Sequence, residues 1–186
     1  VSEAFNSQAP STSWLTIANL QSAVGFTVTA VTDANNYIIN PAVDAETFLA
    51  ANCVSGTTTV YIDMDGVLTN YYQAIAAFNN LTTWFSMTSA MQTATIAAQS
   101  ANFFTNLTKL TRAEALVAKA ITENGSYTIL TTDTGSTSLN NQKTNWVSTN
   151  LSGALAPTAI IFATNFNKAP YGGANKILID DTQLYV

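Results

Sequence analysis

The chain has no histidine, a single cysteine and very little charge for its 186 residues. Without histidine there is no Ser-His-Asp triad, no His-Asp relay and no imidazole-ligated zinc. Cys53 alone can form neither an internal disulfide nor an all-cysteine metal site. Charged residues make up 9% of the chain, against roughly 25% in an ordinary soluble domain. Six Lys plus Arg face 11 Asp plus Glu, for a formal charge of -5 and a pI near 4.3. A protein that grips a nucleic-acid backbone needs a basic surface, so a nucleic-acid polymer is not an expected partner. No run approaches about 18 apolar residues, so no membrane span is expected either.

What the chain has instead is Ala, Thr, Asn and Ser. A surface of small neutral polar groups packs comfortably beside other subunits, which fits self-assembly, an assembled particle such as a virion, or an extracellular lattice. The length suits one domain with a sizeable core. Val1 rather than Met opens it, without a basic-then-apolar signal segment, as expected of a processed chain or a piece of a longer one.

The stretch most informative about chemistry is VYIDMDGVLT, Val60 to Thr69. Val60, Tyr61 and Ile62 are β-favouring, and the run ends in two carboxylates, Asp63 and Asp65, followed by Gly66. Open α/β sheets carry their chemistry at the C-terminal ends of such strands. Near the other end KILIDDT repeats the pattern, with Ile177, Leu178 and Ile179 running into Asp180 and Asp181. Two strands ending in acids point to one shared hard cation. Oxygens of Asp63 and Asp181, with the backbone carbonyl of Asp65, suit Mg2+, and waters and a substrate phosphate complete the shell. The reverse assignment of Asp180 and Asp181 stays open.

These residues carry a resemblance. Over residues 58–182 the chain resembles the haloacid dehalogenase-like phosphohydrolases, and among them the 5'(3')-deoxyribonucleotidase branch. DMDGVLT is the specific motif, and weaker ones follow in the family's order. The resemblance implies an α/β fold: a Rossmann-like parallel sheet flanked by helices, with a small helical cap inserted after the first strand motif, at about 70–107. Residues 1–57 fall outside it as an N-terminal arm, and 58–186 form the domain.

The periodicity agrees with that plan. Strands are expected at 60–62, 127–130, 159–163 and 177–179, with helices over 71–80, 111–122 and 141–151 and an Ala/Thr helix reaching Ala101. Alternating strands and helices give a parallel sheet with helices on both faces. In the N-terminal third, Ser13 precedes a short helix from Trp14 to Ala23. Two strands follow around the Asp33–Asn36 turn, and a further helical turn or two runs from Asp44 to Ala51.

The resemblance also implies roles. Asp63 would be the nucleophile that forms an aspartyl-phosphate, and Asp65 the acid and base. Thr131 would grip a phosphate oxygen, with Thr132 beside it. Lys143, in QKTNWV, resembles the nucleotidase lysine three residues before a Trp-Val pair, and Lys168 is the rival phosphate lysine. Tyr71, Trp84, Phe103 and Phe104 match the aromatic residues of the base pocket, although such rings more commonly build a core. Two departures stand out. Thr182 replaces the arginine that commonly follows the terminal acids, and FATNFNK lacks the Arg and Asp of the family's LTRDK stretch. The expectation is a Mg2+-dependent phosphomonoesterase acting on small substrates such as deoxynucleoside monophosphates, cytoplasmic in that case. The alternative is a non-enzymatic structural component of a virion or cell surface built on the same fold.

Overall fold

The computed structural model describes residues 30–33, 36–38, 41–81, 87–164, 167–172 and 175–180. The helix expected at Trp14–Ala23, Trp84, Asp181 and Thr182 lie outside these. Strands β1 (Ala30–Asp33) and β2 (Asn36–Ile38) pair antiparallel, with Ala30 opposite Ile38. Helix α1 (Pro41–Asn52) begins three residues before the expected Asp44. A proline at the first helical position loses only an N–H that has no partner in the helix anyway, so Pro41 starts the helix rather than delaying it.

Strand β3 (Thr59–Ile62) then enters the main sheet. Two short helices follow, α2 (Tyr71–Phe78) and α3 (Ser89–Ala98), the latter started by the Thr88 side chain accepting from Met91 N–H. Helix α4 (Ala113–Asn124) ends at Gly125, whose φ of 86° supplies the left-handed turn that closes it. Strand β4 (Thr128–Thr132), helix α5 (Thr137–Asn150), strand β5 (Ala159–Ala163) and strand β6 (Lys176–Ile179) complete the series. Helix α5 starts four residues before the expected Asn141. Its first turn holds Thr, Ser and Asn around Leu139, so apolar periodicity cannot signal it.

The main sheet has the order β5-β4-β3-β6 and is parallel throughout. In chain order its strands therefore lie third, second, first, fourth. The path steps outward from β3 to β4 to β5, then returns across the sheet to place β6 on the far side of β3. The reversal creates a switch point between β3 and β6, and a crevice opens outside the strand ends at such a point. Val60 pairs with Ile177 and Ile62 with Ile179 across it.

Helices were expected on both faces. Among the described residues they pack on one. Val60, Ile62, Ile129, Ile177 and Ile179 face a core shared with Leu116, Val117 and Ala120 of α4, Trp146 and Val147 of α5, and Ile75 of α2. Right-handed crossovers that step twice in one direction put both connecting helices on the same side. The opposite face carries a smaller cluster, Tyr61, Leu130 and Ala163 with Ile161, Leu178 and Tyr171. The return from β5 to β6 contributes Tyr171 there, from the 3-10 turn Ala169–Tyr171. Helix α1 precedes residue 58, yet Ala45 and Leu49 are fully buried members of the main core. Among the described residues no helix is long and apolar enough to cross a membrane.

Candidate active site

The loop after β3 fixes its two acids by burying what lies between and beyond them. Met64 and Leu68 are fully buried. The N–H groups of Leu68 and Thr69 both donate to the Met64 carbonyl, at 2.9 and 3.0 Å. Gly66, at φ 81°, makes the reversal that a side chain would strain, and its N–H donates to Thr69 O at 3.1 Å. With Met64 anchored inward, Asp63 and Asp65 are left for the crevice. Asp63 N–H donates to Ile179 O at 2.8 Å, carrying the β3–β6 pairing one residue further and setting Asp63 beside Asp180.

Each acid of the motif meets its own lysine. Lys168 comes from the β5–β6 connection, and its Nζ lies 2.8 Å from Asp63 Oδ1 and 2.6 Å from Asp180 Oδ2. Its side chain is fully buried. Burial pulls the Lys168 amine down, but Asp63 and Asp180 outweigh it and hold the ammonium above the usual lysine range. Lys143 comes from α5 and spends its three N–H donors on Asp65 Oδ2 (2.6 Å), Thr131 Oγ1 (3.0 Å) and the Thr132 carbonyl (3.1 Å). The Phe104 ring sits against the same ammonium, 4.8 Å from centroid to Nζ.

The two acids consequently differ. Burial pushes the Asp65 carboxyl above the usual carboxylate range; Lys143 opposes that shift and Asp63 adds to it. Asp65 Oδ1 is buried and, among the described residues, receives no hydrogen bond. Asp63 is ion-paired to Lys168, which it shares with Asp180, whereas among the described residues Asp65 is paired to Lys143 alone.

The structure thus brings Asp63, Asp65, Thr131, Lys143 and Lys168 together, with the Thr132 backbone. Tyr71, Phe103 and Phe104 also come together, but as buried core residues. Phe103 and Phe104 pack edge to face at 5.0 Å between centroids, and Tyr71 lies 5.8 Å from Phe103. Asp180 reaches Lys168, and Asp181 lies outside the described residues. Lys143 pairs with Asp65, and Lys168 with Asp63 and Asp180. Neither the contact of Phe104 with Lys143 nor the hydrogen bonds of Gln142 to the Ser100 and Phe104 backbone left any signal in the sequence.

Among the described residues no group of three or more acidic, cysteine or histidine side chains forms a ready metal shell. The donor chemistry nevertheless fits a hard cation. Among the described residues three carboxylates, Asp63, Asp65 and Asp180, gather beside Lys143 and Lys168, oxygen donors of the kind a hard cation takes. Magnesium needs only one or two carboxylates and keeps several waters.

Fold and site together define the class: a Rossmann-like parallel α/β domain with an acid–lysine cluster at its switch point. No protein-family model matches the chain, and no curated protein matches it.

Proposed function

We propose that this domain is a phosphomonoester hydrolase of the haloacid dehalogenase-like kind, acting on small phosphorylated substrates, with deoxynucleoside monophosphates the first to test. The observation that carries the proposal is the unequal setting of two carboxylates one residue apart. A nucleophile must be ionised and a general acid must hold a proton, so two like groups can share the work only where their surroundings differ. Asp63 is ion-paired to the buried Lys168 ammonium, which also holds Asp180. Asp65, pushed up by burial, is suited to carry a proton, and its unbonded Oδ1 is free to face a leaving group.

In the first step an Asp63 carboxylate oxygen attacks phosphorus, the ester P–O bond breaks, and Asp65 gives its proton to the departing alkoxide oxygen. In the second, Asp65 takes a proton from water, the water oxygen attacks the aspartyl-phosphate, and inorganic phosphate leaves with Asp63 restored. Thr131 and the two lysines would hold phosphate oxygens and offset their charge, the lysines giving up a present contact to do so. Mg2+, held by the Asp63 carboxylate and the Asp65 carbonyl, would offset the repulsion between Asp63 and an incoming phosphate.

A second reading, a structural component of an assembly, is favoured by one observation. Both lysines are already satisfied by carboxylates of the protein itself, as in a site retained as architecture. Phosphate release from a panel of deoxynucleotides and p-nitrophenyl phosphate, with Mg2+ and with EDTA, separates the two. The hydrolase should turn over only with metal, and Asp63→Asn should abolish turnover, a loss of at least about a thousandfold. No turnover in a folded parent protein would sink the hydrolase reading.

A further inference from the structure

Gln142 directly precedes Lys143 on α5 and reaches a different part of the chain. It is buried, at 6% exposure. Its Oε1 accepts from the Phe104 backbone N–H at 3.1 Å, and its Nε2 donates to the Ser100 carbonyl. Those two backbone groups are four residues apart, the pair that a helical turn would join to each other. Here the Gln142 amide stands between them, offering each group the partner it lacks. The turn is held open from outside, and it carries the Phe104 ring that lies against Lys143.

The neighbours make the consequence specific. Phe104 and Lys143 are both almost fully buried, so neither has solvent to relax into. The ring lies against the ammonium, 4.8 Å from centroid to Nζ, alongside its three hydrogen bonds. A shift of the 100–104 backbone therefore moves the wall against which Lys143 is packed.

We propose that Gln142 is a positioning residue for the acid site. By bridging Ser100 and Phe104 it sets the Phe104 ring against Lys143, and so holds Lys143 on Asp65, Thr131 and the Thr132 carbonyl. The chain of contacts stands without any assumption about turnover; its kinetic consequence rests on the hydrolase reading.

Two variants of the full chain test it. Gln142→Met keeps the length of the side chain and removes both hydrogen bonds. Gln142→Glu keeps an acceptor for Phe104 N–H and loses the donor to Ser100. The first readout is acylation by an amine-reactive reagent, with Lys143 and Lys168 compared by peptide mass spectrometry. Release of the clamp should raise Lys143 labelling roughly tenfold in Gln142→Met and less in Gln142→Glu, while Lys168 stays as in the parent. An equal rise at both lysines, as general loosening or misfolding would give, overturns the proposal, and so does no rise at either. The second readout is p-nitrophenyl phosphate turnover with Mg2+, where kcat should fall about tenfold in Gln142→Met with KM little changed. An unchanged kcat in an active protein overturns the positioning role. A parent without turnover instead counts against the hydrolase reading, and the Lys143-to-Lys168 labelling ratio still decides the role of Gln142.

Discussion

Lys168 shows most clearly what single residues contribute. Its ammonium lies between two buried carboxylates that would otherwise repel each other across the β3–β6 crevice. Breaking a buried ion pair by removing one partner strands the other in low dielectric, and here two charges would be stranded. Lys168→Met should therefore destabilise by about 3–5 kcal/mol, read as a lower urea midpoint. Adding Asp180→Asn removes one of the stranded charges and should recover part of the loss. Two independent, additive losses would show that the three groups do not act as one network. The acids were legible as candidates because DMDG and IDD place them directly after apolar runs. That Lys168 bridges them was not legible, since 12 residues and a return across the sheet separate Lys168 from Asp180.

The loop from β4 to α5 is held by hydrogen bonds among its own side chains and backbone and those of Asn140. Asp133 Oδ1 accepts from the Asn140 amide at 2.7 Å and from Gly135 N–H at 2.8 Å. The Asn140 amide oxygen accepts in turn from Thr134 N–H and Oγ1. The Asn140 amide, and then the Gly135 N–H, hold the Asp133 carboxyl below the usual carboxylate range. Because the folded value is depressed, the loop's contribution is present above the ordinary value near about 3.9 and is lost as pH falls through the folded one. Asn140→Ala should return Asp133 towards the ordinary value in a carboxyl-carbon NMR titration; an unmoved titration would mean that Asn140 is not the cause. The loop's existence was legible from TTDTG. Its internal bonding was not, because Asn140 falls where the sequence pattern still expects loop and the structure has helix.

For the whole molecule, the question is where the domain begins. The resemblance starts near residue 58, but Ala45 and Leu49 of α1 belong to the main core, and Arg112 at the start of α4 grips Glu46 with contacts of 3.0 and 2.9 Å. Burial at that seam is what makes α1 part of the folding unit. Deleting residues 1–40 should leave cooperative unfolding and helical circular dichroism in place. Deleting 1–57 removes Leu49 and uncovers the core side chains packed around it, a loss of about 2–5 kcal/mol for the leucine alone, and should broaden or abolish the transition. Similar unfolding of the two truncations would place α1 outside the unit.

The sequence by itself determined the parallel sheet, the placing of its four strands and the delivery of Asp63 and Asp65 at the end of the first of them. Those features are local: a short β-branched run, an Asp/Gly turn and an apolar helical stripe are each written in adjacent residues. Tertiary structure alone decided which lysine meets which acid, that Asp180 reaches the crevice, that Phe104 lies against an ammonium, and that the described helices gather on one face. Each of these depends on distance in space between residues far apart in the chain. That distance is set by the direction of the crossovers and by how the core packs, neither of which is written in any short stretch of residues.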